Sequence, residues 1–166
     1  MKVLVIGGVA AGTKTAAKLK REDRSIEVTV ISKDKDISYA GCGLPYYVGG
    51  MIEEPGELIV NTPEKYAALT GVTVLTGKEA IRLDAASKSV AVKDVATGEE
   101  EMLGYDKLVI SVGASPSVPP VKGMGLSGVF TMRTPDDAIR VRDYVQDNGV
   151  KKAVVVGAGF IGLEMA

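Results

Sequence analysis

The sequence contains one cysteine and no histidine, and both shortages exclude common kinds of chemistry. Without histidine or a pair of cysteines, these residues form neither a typical zinc site nor a histidine-based catalytic triad, so no metal is predicted. A single cysteine cannot form an internal disulfide, which favours a reducing compartment such as the cytoplasm. The lone thiol is therefore the residue whose chemistry needs an explanation.

The sequence also lacks an excess of charge of either sign and lacks long hydrophobic runs. The formal net charge is -1, so no excess charge attracts phosphodiester backbones or anionic lipid. The apolar stretch after Met1 ends at Gly7, far short of the roughly 20 residues that span a bilayer, and it has no signal-peptide cleavage site. We therefore expect a globular protein with neither nucleic acid nor a membrane as partner.

The chain opens with a pattern typical of a strand, a helix and a second strand. The apolar run 2–6 leads through a glycine-rich turn into the helix-forming stretch 13–21, and 27–31 has the composition of a strand. Short alternating apolar runs over 72–102, separated by turn residues, predict a small antiparallel meander packed on this unit. A further buried strand is predicted over 108–112.

Two Thr-Pro pairs predict helix starts. Thr62-Pro63 supplies an N-cap and a first-turn proline for a short helix through Ala68. Thr134-Pro135, followed by two acidic residues, opens a second helix that Gly149 ends. Residues 115–127 are rich in proline and glycine and are the predicted linker.

The predicted fold is α/β, with a Rossmann-like domain over 1–114, the linker over 115–127 and the start of a second Rossmann-like domain over 128–166. In the second domain, Ala153 to Val156 is the expected first strand, and a glycine turn leads from it into a helix. Because the sequence stops within that helix, we expect it to be part of a longer polypeptide.

The first predicted strand of each domain, 2–6 and 153–156, is followed by glycines at a spacing typical of dinucleotide-binding turns. A residue without Cβ allows the tight turn and the close approach of a pyrophosphate, and the helix N-terminus offers unpaired N–H groups to the anion. Gly157, Gly159 and Gly162 meet these requirements in the second turn. In the first turn Gly7 and Gly12 hold the outer positions. One such motif alone is often only a turn, but two in one chain favour dinucleotide sites.

The first turn departs from the usual pattern in two ways. Gly8 stands one place earlier than the usual middle glycine, and Val9 occupies the middle position. The acidic residue expected about 20 positions after the turn, where it would bind the ribose hydroxyls, is missing, since that count reaches Ser32. Asp34 or the Ser32 hydroxyl would have to take its place.

Cys42 is flanked by glycines that allow a ligand to approach, and Pro45 suits the first turn of a helix. A thiol at a helix N-terminus has its thiolate favoured by the helix dipole, as disulfide exchange requires. The alternative is a buried cysteine that acts as a small hydrophobic residue, but its neighbours form turns rather than a core. Without a second cysteine, a reactive thiol must pair with a small external thiol or become a sulfenic acid.

Five blocks of sequence resemble the single-cysteine, flavin-dependent pyridine nucleotide-disulfide oxidoreductases, which include coenzyme A-disulfide reductase, NADH oxidase and NADH peroxidase. The resemblance covers the whole chain, and five blocks in the same order are more specific than any one. They are Ser38 to Tyr47, Thr62 to Tyr66, Tyr105 to Ala114, Arg133 to Asp136 and the second glycine turn. The resemblance implies an enzyme, homodimeric as a whole protein, in which electrons pass from NADH or NADPH through FAD to Cys42.

The resemblance also implies roles for individual residues. The residues that it places around FAD, with Ala80 near the adenine, are Gly7, Gly8, Ala11, Gly12, Ser32, Lys33, Ala80, Ser111, Val112, Gly113 and Arg133. Those that it places around the nicotinamide cofactor, with Phe160 as an aromatic gate, are Gly157, Gly159, Phe160 and Gly162. The implied substrate contacts are Ser38, Tyr46, Lys20 and Arg21. For the last two the alternative is a solvated role that complements the helix dipole.

The Cys-Gly-Leu-Pro-Tyr-Tyr form resembles coenzyme A-disulfide and persulfide reductases more than the members that reduce oxygen or peroxide, although Gly41 replaces the family's usual asparagine. The predicted substrate is therefore a small disulfide or persulfide of the coenzyme A type. One alternative is an NADH oxidase or peroxidase with a Cys42 sulfenic acid, and another is a nucleotide-binding redox module without turnover. Because other family segments come later, we expect residues 1–166 alone to be inactive.

Overall fold

The computed structural model describes all residues from Met1 to Ala166. All its strands lie within residues 2–110, and only helices follow the last strand. The strands are β1 (Lys2–Ile6), β2 (Glu27–Ser32), β3 (Thr73–Thr76), β4 (Lys78–Asp84), β5 (Ser89–Asp94), β6 (Glu100–Gly104) and β7 (Lys107–Ile110). The helices are α1 (Ala10–Glu22), α2 (Leu44–Val48), α3 (Pro63–Thr70), α4 (Pro135–Asp147) and α5 (Phe160–Glu164), with 3₁₀ turns at Gly41–Gly43 and Pro55–Leu58.

Four parallel strands form the main sheet, in the order β3-β2-β1-β7. β1 lies between β2 and β7, and its Ile6 pairs with both Ile31 and Ile110. The chain steps outward from β1 to β3 and then returns to the other side of β1. In open parallel sheets, ligands bind at the carboxyl ends of the strands where the order reverses in this way. That point lies between Gly7, after β1, and Ser111, after β7.

Both faces of the parallel sheet are covered, which explains why its strands are nearly continuous apolar runs. On one face, Val5 and Val30 pack with Ala16 of α1. On the other face, Leu4 packs with Val90 of β5. Successive residues of β1 therefore enter different clusters, as the two-residue period of a strand requires, and the predicted α/β class is confirmed.

The predicted meander is a three-stranded antiparallel sheet in the order β4-β5-β6. It begins at Lys78 rather than at Val72, because β3 pairs with β2 in the parallel sheet. An alternating apolar run indicates a strand with a buried face, but it does not indicate the partner strand. The sequence therefore predicted the strand correctly and its sheet wrongly.

Two predicted strands differ from the structure. β7 ends at Ile110, and it is an edge strand in which Ile110 is 61% exposed, while Val112 beyond it is 68% exposed. Residues 153–156 form no strand, and Val154 is 89% exposed. All strands belong to the two sheets within residues 2–110, so the backbone groups of 153–156 have no neighbouring strand with which to pair.

The helices form where the sequence predicts them. The Thr62 hydroxyl accepts a hydrogen bond from the N–H of Lys65 at 3.2 Å and caps α3. Thr134 and Asp137 form a reciprocal capping box at the start of α4. α1 begins three residues before its predicted start, and α3 ends two residues after its predicted end. None of the helices combines the length and apolar character that crossing a membrane requires.

The chain divides into two compact units. The first consists of residues 1–39 and 59–113 and contains both sheets with α1 and α3. The second consists of residues 40–58 and 114–166 and contains α2, α4 and α5. The domain limits predicted from the sequence stay a prediction.

Candidate functional site

Two glycines make the sharp turn between β1 and α1 possible. Gly7 has a φ of +109°, which a residue with a Cβ rarely adopts. A Cβ on Gly7 would lie 2.1 Å from the carbonyl oxygen of Ser111, and one on Gly12 would lie 1.8 Å from the carbonyl oxygen of Gly7. The strand end, the first turn of α1 and the end of β7 therefore approach one another too closely for any other residue.

Gly8, the displaced glycine of the first motif, packs against the end of β2. A Cβ there would lie 2.7 Å from Cγ2 of Ile37 and 3.0 Å from Cβ of Ser32, and both residues are buried. The N–H of Ser38 also donates to the carbonyl oxygen of Gly8 at 3.0 Å. The irregular spacing thus has a packing reason, because this position has no room for a side chain.

The N-terminus of α1 carries no side-chain cap. Val9 precedes the helix without a side-chain hydrogen bond, and no acidic residue lies in the first turn. The N–H groups of a first helical turn have no carbonyl partner within the helix, and the helix dipole favours an anion beside them. Ala11 is exposed in this turn. Because backbone N–H groups and a dipole together bind phosphates, this end of α1 suits a pyrophosphate.

Ser111 forms the opposite wall of the glycine turn. Its hydroxyl and its N–H both donate to the carbonyl oxygen of Ile6, each at 2.8 Å. Val112 and Gly113 follow in exposed positions, and Gly113 has a φ of +70°. The structure therefore brings the predicted segment 111–113 to the carboxyl end of β1, beside Gly7.

Lys33, Ala80 and Ser32, which were predicted to contact the dinucleotide away from the glycine turn, lie at or beyond the end of β2 and in β4. The ammonium group of Lys33 lies 2.9 Å from a carboxylate oxygen of Glu79, and the neighbouring carboxylate raises the pKa of Lys33. Ala80 packs against the cluster formed by the sheet and β5, so its side chain faces the core. Of the two substitutes for the missing ribose acid, Asp34 is exposed and Ser32 is buried.

The second glycine turn repeats the geometry of the first. Gly157 has a φ of +114°, and a Cβ on Gly162 would lie 2.0 Å from the carbonyl oxygen of Gly157. The corresponding values for Gly7 and Gly12 are +109° and 1.8 Å. Gly159 precedes α5 without a side-chain cap, as Val9 precedes α1. The two turns are therefore built alike, although residues 153–156 form no strand.

Cys42 is exposed and lies in the 3₁₀ turn that directly precedes α2. No atom lies within 4 Å of the position of a Cβ on Gly41, so the thiol's turn is open on that side. A Cβ on Gly43 would lie 3.2 Å from Cδ2 of Leu58, so the other side of the turn rests on packed residues. Within residues 1–166, Cys42 is therefore exposed rather than buried among apolar side chains.

α2 presents one polar and one apolar face. Leu44 and Tyr47 are buried in a cluster with Leu58 and Ala138 of α4. Tyr46 is exposed, as is Cys42 four residues before it. Both side chains are therefore open to solvent, whereas Leu44 and Tyr47 face the packed cluster.

The other predicted substrate and cofactor residues are partly engaged within the protein. Ser38 adopts a left-handed conformation, with a φ of +51°. The ammonium group of Lys20 donates to the carbonyl oxygens of Arg24 and Ile26, beyond the end of α1, at 2.8 and 2.9 Å. Arg21 is exposed.

Arg133 and Phe160 are also exposed. The backbone N–H of Arg133 donates to a carboxylate oxygen of Asp137 at 3.0 Å, while the residue is otherwise open to solvent. Phe160 is the first residue of α5 and is 89% exposed. Both side chains are therefore accessible to a ligand.

One residue that the sequence analysis missed is Arg142 in α4. Its guanidinium carbon lies 4.5 Å from the centroid of the Tyr47 ring, and its Nη1 donates to the carbonyl oxygens of Ile52 and Glu53 at 2.9 and 3.0 Å. A signal was available, because Arg142 follows Ala138 by four residues and so lies on the helix face that packs on α2. A basic residue on such a face needs a specific partner.

The parallel sheet, with its glycine turn at the point where strand order reverses, defines a Rossmann-like α/β protein. The sequence profile of the pyridine nucleotide-disulphide oxidoreductases matches residues 1–166. The chain belongs to this family.

Individual relatives support the same grouping. The chain is 40% identical over 166 residues to an NADH oxidase of Methanocaldococcus jannaschii. The match covers 100% of this chain and 37% of the relative. It is 35% identical over 164 residues to a coenzyme A disulfide reductase of Staphylococcus haemolyticus, covering 99% and 37%. Among solved structures, an NAD-dependent persulfide reductase from A. fulgidus is similar with a TM-score of 0.93 and 40% identity, covering 99% of this chain and 31% of that one. The chain thus spans about 37% of the length of these curated relatives.

Proposed function

We propose that the whole protein is an FAD-dependent enzyme that uses NADH or NADPH to reduce a small disulfide or persulfide of the coenzyme A type. Cys42 is its redox-active thiol. The observation that carries the proposal is the exposure of this thiol, the only one in these residues, on a glycine-flanked turn before α2. The substrate class is supported by relatives named as a coenzyme A disulfide reductase and a persulfide reductase.

The first glycine turn fits the pyrophosphate of FAD. Because Gly7 and Gly12 have no side chains, their backbones lie close together at the uncapped start of α1. An anion is favoured at this position. The remaining residues that would hold the cofactor are Gly8, Ala11, Ser32, Lys33, Ala80, Ser111, Val112, Gly113 and Arg133. When bound, FAD accepts a hydride from NAD(P)H and supplies an electron pair for the reduction of a disulfide.

The second glycine turn fits the pyrophosphate of NADH or NADPH for the same reasons. Gly157 and Gly162 reproduce the close backbone contact of the first turn, and Gly159 leaves the start of α5 uncapped. Phe160 is exposed beside this turn, where an aromatic ring can cover a bound nicotinamide. We assign these four residues to the nicotinamide cofactor.

Cys42 acts by thiol–disulfide exchange. Its thiolate attacks one sulfur of the substrate, the substrate S–S bond breaks, a mixed disulfide with Cys42 forms, and the first thiolate leaves. One electron pair then cleaves the mixed disulfide, which restores the Cys42 thiolate and releases the second thiol after it takes up a proton. The exposure of Cys42 gives an external substrate access to the sulfur.

Replacement of Cys42 by serine in the whole protein tests the proposal. We expect C42S to retain the visible absorption of bound flavin and to lose coenzyme A disulfide reduction by at least about a thousandfold, since the nucleophile is gone. Equal turnover by C42S and wild type would refute the role of the thiol. A protein that stays colourless after reconstitution with FAD would refute the flavin assignment.

Reduction of peroxide or oxygen is a second candidate function, favoured by the similarity to an NADH oxidase. A peroxide would transfer one oxygen to the Cys42 thiolate to give a sulfenic acid, and one electron pair would restore the thiolate with release of water. NADH consumption with coenzyme A disulfide under nitrogen, compared with consumption with hydrogen peroxide or oxygen, separates the two functions. Labelling of Cys42 by dimedone, a trap for sulfenic acids, would favour the second.

We further propose that the whole protein is a homodimer of the cytoplasm. The family resemblance supports the dimer, and a lone exposed thiol suits a reducing compartment. Light scattering on the whole protein tests the assembly, and a mass equal to one chain would contradict it.

A further inference from the structure

We propose that Arg142 is a positioning residue for Cys42, because it fixes the orientation of α2 and so the direction in which the thiol directly before α2 is presented. The inference rests on the proposed function of Cys42. It adds a residue that acts through α2 rather than through contact with the reacting atoms.

The guanidinium group of Arg142 makes two kinds of contact in one place. It lies over the Tyr47 ring, with the guanidinium carbon 4.5 Å from the ring centroid, and its Nη1 donates to the carbonyl oxygens of Ile52 and Glu53. A flat, forked donor is suited to stacking and bonding at once. Lysine could keep the charge near the ring, but its ammonium group does not reproduce that shape.

The two carbonyl oxygens belong to a loop that folds back on α2. The N–H groups of Met51 and Ile52 donate to the carbonyl oxygen of Tyr46 at 2.9 and 3.2 Å. Arg142 therefore holds Tyr47 through its ring and Tyr46 through its carbonyl and the Ile52 backbone. Both attachments lie within five residues of Cys42 in the chain.

α2 depends on such attachments for its orientation. It has only five residues, less than an isolated helix needs, and no side chain caps its start. Glycines stand on both sides of it, at 41, 43, 49 and 50, and glycine gives the backbone the greatest freedom. Packing of Leu44 and Tyr47 with Ala138 supplies an apolar contact, which restricts distance more than direction. Arg142 adds directional hydrogen bonds to the loop that folds back on α2 and a contact with the Tyr47 ring.

Loss of these bonds should change the orientation of the Cys42 thiol, whereas the thiol group itself stays in place. Cys42 lies in the turn that directly precedes α2, and Tyr46 lies within α2, so a rotation of α2 displaces both with respect to a substrate. Small displacements of reacting groups reduce turnover strongly, because the productive arrangement is populated less often. We therefore expect the larger effect on kcat and the smaller effect on KM.

The experiment compares R142M, R142K and the matched control R140M in the whole protein. Arg140 lies on the same helix, and its exposed guanidinium pairs with Asp137 rather than with α2. We expect R142M to lower kcat/KM for coenzyme A disulfide by at least about tenfold and to change the pH profile of Cys42 alkylation by iodoacetamide. R142K should restore part of both, and R140M should match wild type.

Equal kcat/KM and equal alkylation profiles for R142M and R140M would overturn the proposal. If R142M does not fold, R142K tests the proposal instead. Full activity of R142K with an unchanged pH profile of Cys42 alkylation would contradict the need for a forked donor. Failure of the proposed function is a separate result, in which C42S is as active as wild type. In that case the alkylation profiles still report whether Arg142 positions the thiol.

Discussion

The hydroxyl group of Tyr66 donates a hydrogen bond to the carbonyl oxygen of Thr13, and so joins α3 to α1. Both residues are buried, and the Thr13 hydroxyl in turn donates to the carbonyl oxygen of Val9, directly before α1. The helix end beside the glycine turn is thus held from inside the core. The position of this helix end therefore depends in part on the contact between α3 and α1.

We expect Tyr66→Phe to lower the local free energy of unfolding around α1 by about 1 kcal/mol, because the Thr13 carbonyl loses a buried partner. Amide hydrogen exchange in α1 of the whole protein measures this free energy. Tyr144→Phe is the matched control, since the Tyr144 ring packs edge-on against Phe130, and it should change the value by less than about 0.5 kcal/mol. Equal exchange in Y66F and wild type would contradict the expectation.

Alkaline pH should weaken the same region. Burial raises the pKa of Tyr66, so the folded protein prefers the neutral phenol more than the unfolded chain does. This contribution is complete below the ordinary tyrosine pKa of about 10 and is lost as the pH rises through the higher folded value. Hydrogen exchange followed from about pH 9 to about pH 12 should show a loss of stability in wild type that is smaller in Y66F. Identical curves would argue against a titration of Tyr66.

Gly12→Ala should prevent flavin binding. The added methyl group would lie 1.8 Å from the carbonyl oxygen of Gly7, so the turn must move, at a cost of about 1–3 kcal/mol in stability. The ratio of flavin to protein absorbance measures the outcome. Gly56→Ala is the control, because no atom lies within 4 Å of its Cβ position and its φ is not positive. Normal flavin content in G12A would show that the close approach is not required.

Acid should destabilise α4 through Asp137. Burial alone would raise the pKa of Asp137, but hydrogen bonds from the Thr134 and Arg133 backbone and from Arg140 outweigh it, and the pKa is lowered. The carboxylate therefore stabilises the fold above the ordinary value of about 4, and this stability is lost as the pH falls through the lower folded value.

The variant that tests this is Asp137→Asn, which removes the titrating group. We expect it to cost about 1 kcal/mol near neutral pH and to show less acid dependence than wild type. Circular dichroism of the whole protein between pH 7 and acid pH follows the loss of helix. An unchanged acid midpoint in D137N would point to other groups.

Local signals in the sequence were sufficient for the helices but not for the sheets. α4 could be predicted with its cap, because Thr134, Pro135 and Asp137 act on backbone groups within four positions. The assignment of 73–76 to the meander failed because strand pairing joins distant segments, here Thr73 with Thr29. The strand over 153–156 failed for a related reason, since strand composition alone supplies no partner.

The candidate site shows the same division. The glycine turns were visible in the sequence because each is formed within six consecutive residues, such as Gly157 to Gly162. Arg142 was not, because its bonds to Ile52 and Glu53 reach residues 90 and 89 positions earlier. The packing reason for Gly8 was also hidden, since Ile37 lies beyond β2 in the chain.

This long separation has a consequence for biosynthesis. The segment around Cys42 is supported by α4, so the thiol's turn cannot reach its final packing until Arg142 has been synthesised, 90 residues after Ile52. At ordinary translation rates that interval is roughly 5–20 s. During this time the nascent chain carries an unsupported cysteine between flexible glycines. The nascent chain therefore exposes this thiol to oxidants before the packing that orients it is complete.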